Sequence, residues 1–452
     1  MATTQLYHDA AAGNQKTWTF SAWIKKSNLG SNAYLFSQGS SGTNFIGIYF
    51  GTNDEFKVYN EVSSSQTLYF ITNRLLRDTS AWYHIVVQCD TTQATEADRF
   101  KIWINGSQET SFSTAAYPAQ NSDTNMNAAT RERIGVYHPG GSSPNHYWNG
   151  YMSHIALVDG SVVAPTVFGE TDSTSGIWKF KQPTGVTWGT NGFHLKFENS
   201  GNLGLDSSGN SNTFSLSGNG RQALDTPSNV YATWNPLSRS TGNVYSNGNT
   251  TVAYSNNYQK NANATLTFNN GKWYAEFKRG GAANLHIGIV GNTFLEDGRI
   301  VTDTSSNHTY NMRGHTGCVT LISNSSDQDI YVDGSDSGTN VDFYSAAGDI
   351  VMVAFDSATK KIWFGKNGTW SGSGNPATGA NASLTYSGTA TSDFTFGTDT
   401  ENGSSCSANF GSGYFGTTAI SSAGSNGNGS LFEYDVPSGY YALNTKNINT
   451  YG

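Results

Sequence analysis

The chain reads as an all-β protein, two tandem antiparallel β-sandwiches joined by a partly structured connector. Three observations lead there. Apolar residues alternate with period two in one segment after another, and no long 3.6-residue stripe interrupts them. The polar remainder is rich in Gly (51 residues), Ser, Thr and Asn, the chemistry of tight turns and exposed strands. Aromatic residues (24 Tyr, 24 Phe and 11 Trp) make up 13% of the chain, although all hydrophobic residues together reach only 36%. Large flat rings bury much area each, so such a chain can still build cores, and its aromatic content argues against disorder.

The 452 residues suit two or three domains of about 100–200 residues each. Either half can then bury a core without a metal or disulfides. Charged residues are 13% and the net charge is −8. No stripe of Lys and Arg offers a phosphate-binding track, so nucleic acid is not an expected partner. Lys25-Lys26 and Lys278-Arg279 sit at strand ends, where a solvated edge accounts for them. Three cysteines, Cys89, Cys318 and Cys406, are an odd number without metal-like spacing. They read as a chain folded in a reducing compartment, with a Cys318–Cys406 bridge as the less favoured alternative. Met1 to Thr17 lack a basic segment followed by an apolar one, so no secretory signal is expected. No apolar run is long enough to span a bilayer and the mean hydropathy is −0.46, so no membrane insertion is expected.

Trp18 to Lys25 opens the strand series. Trp18, Phe20, Ala22 and Ile24 fall on one face and Thr19, Ser21, Trp23 and Lys25 on the other, the pattern of a half-buried strand. Further strands are expected at 45–50, 55–59, 67–72, 82–89 and 99–105, and the stretch 148–159 closes the first half. From Val162 to Pro236 the alternation weakens, punctuated by Pro165, Pro183, Pro227 and Pro236 and by Gly/Asn/Ser clusters such as 206–212. This reads as a connector with a few strands, including 193–197. Alternation returns at 272–278, 285–290, 317–323, 349–355, 361–365 and 394–397. Both halves contain a strand, a spacer, a strand and then Asn-Gly, at Asn105-Gly106 and Asn367-Gly368. Asn-Gly tolerates the positive φ angles of a type I′ turn, so each is a hairpin signal.

The segments Trp18-Thr-Phe-Ser-Ala-Trp-Ile-Lys-Lys26, Trp82-Tyr-His-Ile-Val-Val87, Lys101-Ile-Trp-Ile-Asn-Gly106, Arg133-Ile-Gly135 and the run 148–159 come in a telling order. The first half resembles the laminin-G-like, concanavalin-type jelly roll. The following Phe168-Gly-Glu-Thr-Asp172, Gly176-Ile-Trp-Lys-Phe-Lys181, Trp188-Gly-Thr-Asn-Gly-Phe193 and Asp225-Thr-Pro-Ser-Asn229 are similar to a connector in virion proteins of marine phages. In the second half, Gly271-Lys-Trp-Tyr-Ala-Glu-Phe277 and Ile287-Gly-Ile-Val290 resemble the opening strands of a SPRY-type sandwich. Gly348-Asp-Ile-Val-Met-Val-Ala-Phe-Asp356 with Lys361-Ile-Trp-Phe-Gly-Lys-Asn-Gly368 is the most specific stretch of that likeness. The implied organisation is a laminin-G-like domain at 1–170, a connector at 171–240 and a SPRY-like domain at 241–452. The order of the modules points to a bacteriophage tail or capsid accessory protein. Both families chiefly bind, one glycans or proteins and the other protein segments, so the resemblance implies recognition without identifying a ligand.

Concanavalin-type scaffolds also carry glycosidases, which need two carboxyl groups flanking the sugar bond. The nearest matches to an alternating Glu-x-Asp-x-x-Glu strand are Glu170-Thr-Asp172 and Glu433-Tyr-Asp435. Both lack the last acid and read as solvated turn acids. No nucleophile elbow, zinc-protease helix or phosphate-cradling loop is present. No cofactor is called for with certainty. The laminin-G-like resemblance implies a rim Ca2+, but the acidic cluster of Asp327, Asp329, Asp333 and Asp336 lies in the other half and lacks EF-hand spacing. His8, His84, His138, His146 and His154 show no ligand spacing, and His84 and His154 read as strand-face residues. The best binding candidate is the Gly/Pro-rich loop from Tyr137 to Tyr147, at one rim. Tyr137, His138, His146 and Tyr147 would present rings there, with Asn145 as a donor. The competing reading has these rings covering the sandwich edge or facing a neighbouring subunit, and Trp148 belongs to the core.

The expected function is therefore that of a non-enzymatic virion protein, made in the host cytoplasm and carried on the particle. Its expected partners are other tail or capsid proteins and a host-surface glycan or protein. Self-association or symmetric multi-copy display follows from particle symmetry. The alternatives are a carbohydrate-active depolymerase and a purely architectural cement protein.

Overall fold

A computed structural model of the chain describes residues 3–140, 143–237, 242–254, 260–281, 285–295, 311–324, 326–400 and 403–452. The chain falls into two units, Met1–Gln222 and Ala223–Gly452. Both are built almost wholly of antiparallel sheets, as the alternation predicts.

Among the described residues of the first unit, an eight-stranded sheet faces a six-stranded one. The first runs in the order Phe112–Ala116, Ser65–Leu75, Glu55–Val62, Asn44–Phe50, Ala33–Ser41, Arg131–Ile134, Gln5–Asp9 and Ser215–Ser217. The second runs Phe193–Leu195, Gly150–Asp159, Thr17–Lys26, Tyr83–Asp90, Phe100–Ile104 and Ser107–Glu109. Trp18, Phe20, Ala22 and Ile24 point into the core, where they meet Ile48, Phe50, Phe70, Ile85 and Leu157. Burying such an apolar side chain stabilises by roughly 1.5–3 kcal/mol. Within the stretch read as a connector, Phe193–Leu195 pairs with Gly150–Asp159, and Ser215–Ser217 pairs with Gln5–Asp9.

Two expectations need correction. Lys25, Lys26 and Arg279 are not at a solvated edge but buried, Lys26 paired with Asp54 at 2.7 Å and Arg279 donating to Ser323 O at 3.3 Å. Thr17–Lys26 is not half-buried but buried on both faces, Trp23 being only 2% exposed. The cause is chain that returns over the outer side of the sheet after Asp159. Val163 N donates to Thr19 Oγ1 at 3.0 Å and Gln88 Nε2 to Val163 O at 2.6 Å. Phe168 packs on Ala156 and Val158. The hairpin of Gly169–Thr171 and Trp178–Phe180 then lays its rings over His84 and His154.

The second unit repeats the architecture with different wiring. Among its described residues, one sheet is built on Ser405–Asn409, Lys272–Gly280, Ile350–Asp356 and Lys361–Lys366, and the other on Lys260–Asn263, Thr395–Thr400, Leu285–Val290, Cys318–Ser323, Asp329–Val332 and Ser335–Asn340. Trp234, Trp273, Phe277, Ile287, Leu321, Phe355, Phe364 and Phe396 fill the space between them. Tyr441–Ala442 adds the one parallel pairing among the described strands, on Lys272–Gly280. Both Asn-Gly hairpins form with positive φ at each residue (49° and 76° at Asn105-Gly106, 48° and 89° at Asn367-Gly368). Gly106 is needed twice over, since a Cβ there would stand 2.5 Å from the Trp178 ring. None of the three cysteines is in a disulfide.

Candidate functional site

The loop after Arg131–Ile134 folds back on itself. Tyr137 and Asn145 exchange two backbone hydrogen bonds of 3.0 Å, and Tyr34 N donates to His146 O at 3.1 Å. The loop is thereby tied to the strand Ala33–Ser41. Of its five candidate residues, Tyr137 and His146 come together, with ring centroids 6.1 Å apart. Tyr137 packs on Tyr34 at 4.9 Å, and His146, exposed and with a φ of +51°, lies parallel to Tyr34 at 6.2 Å. Asn145 is exposed and reaches back to Ser143 O at 3.4 Å. His138 is half-buried and donates its backbone N–H to Ser37 Oγ, and Tyr147 is half-buried at the loop exit.

Beneath Tyr137 the outer face of the eight-stranded sheet carries aromatic residues that the sequence reading did not single out. Strand register explains their convergence. Tyr34 lies opposite Tyr49, and Tyr59 lies opposite both Gly47 and Tyr69. Side chains alternate across a strand, so Ile48, Phe50, Val58, Leu68 and Phe70 enter the core while Tyr49, Tyr59 and Tyr69 turn outward. The rings form a curved row of contacts, an aromatic circuit. Centroid separations are 4.4 Å for Tyr49–Tyr34, 4.9 Å for Tyr34–Tyr137, 5.3 Å for Tyr137–Phe45, 5.5 Å for Phe45–Tyr59 and 5.1 Å for Tyr59–Tyr69. Tyr69 lies near enough to Tyr49 for its phenol to raise that of Tyr49. Gly47 lies at the centre, where a Cβ would stand 2.6 Å from Tyr34 Cε1. Tyr34 and Phe45 are the buried floor, and Tyr49, Tyr59, Tyr69 and Tyr137 are half-buried. The signal for this face was in the sequence, an aromatic residue in the polar slot of three successive strands.

The circuit is polar at its edge but uncharged in itself. Burial, then the hydrogen bond to Glu61 at 2.8 Å, pushes the Tyr59 phenol up to about 12. Burial and the neighbouring phenols raise Tyr34 and Tyr49 further still, and burial raises Tyr137. All four keep their protons well above neutral pH. The nearby cation, Lys57, is paired with Glu55 at 2.8 Å. Aromatic faces with a few convergent hydroxyl groups and one carboxylate match an amphipathic, uncharged ligand.

The acidic candidates have other tasks. Glu170 and Asp172 pair with Lys179 at 3.6 and 3.0 Å, and Asp172 also caps its turn through the Thr174 and Ser175 N–H groups. Glu433 accepts from Ser421 N and Asp435 from Ser425 N. Asp333, with a φ of +48°, accepts from Gly317 N, Thr389 N and Tyr386 Oη. It therefore does not converge with Asp329 and Asp336 on a calcium site. Asp329 remains near Asp327 and Asp336, its carboxyl raised by burial and by their charge. Asp336 accepts from Gly338 N. Among the described residues, no group of three or more His, Cys, Asp or Glu is placed to hold a metal.

Ser21 and His84 resemble a nucleophile and base, with Ser21 Oγ 2.9 Å from Nε2. The third partner decides otherwise. Trp178 Nε1 donates to His84 Nδ1 at 3.0 Å, and an indole N–H can only donate. The proton therefore sits on Nε2 and points at the serine, the wrong tautomer for a base.

A family model described as Concanavalin A-like lectin/glucanases superfamily (Laminin_G_3) matches residues 2–168, the range that holds the aromatic circuit and the rim loop. No curated protein matches the chain. Among solved structures, the chain is similar to the SPRY domain of human HERC1, at 13% identity over 39% of this chain and 96% of that one, with a TM-score of 0.29. It is similar to the native heptameric SAP-like pentraxin of Limulus polyphemus, at 16% identity over 36% and 73%, with a TM-score of 0.27. It is similar also to domain 4 of AbnA, a GH43 extracellular arabinanase of Geobacillus stearothermophilus in complex with arabinotriose, at 14% identity over 35% and 66%, with a TM-score of 0.25.

Proposed function

We propose that this protein is a non-enzymatic glycan-binding protein, carried in several copies on a phage particle as an adhesion component. One observation carries the reading, the circuit of Tyr34, Phe45, Tyr49, Tyr59, Tyr69 and Tyr137 around Gly47, with His146 beside Tyr34. The C–H faces of a sugar stack on such rings while phenols and Glu61 take its hydroxyl groups. The family match over 2–168 supports a carbohydrate as the ligand class. The order of modules and the connector segments support the virion, and multi-copy display would turn weak single contacts into avidity.

Affinity electrophoresis in gels containing neutral polysaccharides (dextran, galactomannan or mixed-linkage glucan) tests this. The wild type should be retarded by at least one of them, and the Tyr59→Ala/Tyr137→Ala double variant should lose that retardation at least tenfold with its far-UV circular dichroism unchanged. New reducing ends in the same mixtures would favour the depolymerase instead. Retardation of both proteins alike would remove the circuit from the account.

A further inference from the structure

The chain that returns over the first unit's six-stranded sheet is fastened at its tip by histidines. Trp178, seated between Gly106 and Gly169, donates to His84 Nδ1, and His84 Nε2–H faces Ser21 Oγ. Trp23 stacks on His84 at 4.6 Å, and Phe168 closes its edge at 6.5 Å. Beside them Phe180 stacks on His154 at 3.7 Å, and His154 Nδ1 meets His194 Nε2 at 3.2 Å. His154 has a φ of +48° at a break in strand register between Ser153 and Ala156, which re-aims its ring.

Each of these rings resists a second proton in place. On His84 it would set one N–H against another across the 3.0 Å that separates it from Trp178. On the pair it would bury a cation beside Lys196 and under the Phe180 ring. The groups around His84 (Ser21, Trp23, Asn105, Phe168 and Trp178) are uncharged. Lys196 and Asp206 act on His194, and Lys196 also on His154. On the hairpin itself Lys179 pairs with Glu170 and Asp172.

We propose that the hairpin 169–180 is an acid-released strap: protonation of His84 and His154 unlatches Trp178 and Phe180 and bares the aromatic face of the sheet around Trp23. Burial holds His84 and His154 down to about 3 and His194 to about 4, against about 6.5 for a free imidazole. The released state therefore binds more protons between those values. The latch is complete above pH 6.5 and weakens as pH falls. By pH 5 a fully freed imidazole shifts the equilibrium about thirtyfold toward release; His84, with no charged neighbour, carries that share, and His154, which keeps His194 and Lys196 beside it, adds less.

Amide hydrogen exchange of the whole protein, corrected for intrinsic rates, tests the strap between pH 7.5 and pH 5. The N–H groups of Asp172 and Lys181, bonded to Ile177 O and Phe168 O, should lose protection at least thirtyfold while Thr17–Lys26 and Tyr83–Asp90 hold theirs. Unchanged protection of the hairpin, or a loss shared by those strands, would overturn the proposal. His84→Gln should cut the acid-dependent loss to the smaller share of His154, well below about thirtyfold. A folded variant that keeps the full loss would show that His84 is not the latch. Should the variant not fold, the wild-type comparison still decides.

Discussion

Gly47 sets how the tyrosines sit. Its φ is not positive, so space rather than backbone conformation requires glycine there. An added Cβ would lie 2.6 Å from Tyr34 Cε1 and 3.5 Å from Phe45 Cε2. Tyr34 is itself stacked on Tyr49, so relieving that clash moves two rings. Overpacking of this kind costs typically about 1–3 kcal/mol. Gly47→Ala should therefore fold, melt at a lower temperature by calorimetry, and lose polysaccharide retardation at least tenfold. Unchanged retardation with a lowered melting temperature would separate the packing of the circuit from binding. Residues such as Tyr137 and His146 were legible beforehand because they stand in a Gly/Pro-rich loop. Gly47 was not, because its need arises only when a cross-strand ring arrives from Tyr34.

At the scale of elements, the strand Lys272–Gly280 carries a buried acid that holds a distant segment. Glu276 accepts from Tyr274 Oη at 2.9 Å, Glu433 N at 2.9 Å, Tyr434 N at 2.8 Å and Asn409 Nδ2 at 3.3 Å. Burial pushes its carboxyl up to about 7, while these four donors favour the ionised form. In Glu276→Gln one amide N–H₂ must face a donor, and an unsatisfied buried group costs about 1–3 kcal/mol. Thermal unfolding should show a lowered midpoint for the second unit with that of the first unchanged. No change would mean that the segment at 433–434 is held by other contacts. The strands themselves were largely readable, since alternation such as Leu285, Ile287 and Ile289 against His286 and Gly288 leaves a helix no consistent face. The outer face of Thr17–Lys26 was misread for a physical reason. Thr19 and Ser21 look like solvent positions, and only the returning chain, with its own Thr19 and Gln88 hydrogen bonds, makes them buried ones. Burial on a second face depends on what comes later in the chain, which local periodicity does not encode.

For the molecule as a whole, each unit closes its own core, and the acids singled out as candidates have local hydrogen-bond partners. Glu170, Asp172, Glu433 and Asp435 hold turns, and Asp333 ties three loop groups together. The aromatic circuit has no comparable structural task on its outward edge, where four tyrosines meet solvent. Half-buried rings grouped on one sheet face offer apolar area together with phenol hydroxyl groups. Hydroxyl-radical footprinting of the protein with and without a retarding neutral polysaccharide reads this face directly. Oxidation of Tyr49, Tyr59, Tyr69 and Tyr137 should fall several-fold on binding while that of Tyr344 and Tyr451, exposed in the second unit, stays unchanged. Equal oxidation of the four with and without the sugar would contradict the assignment of binding to this face.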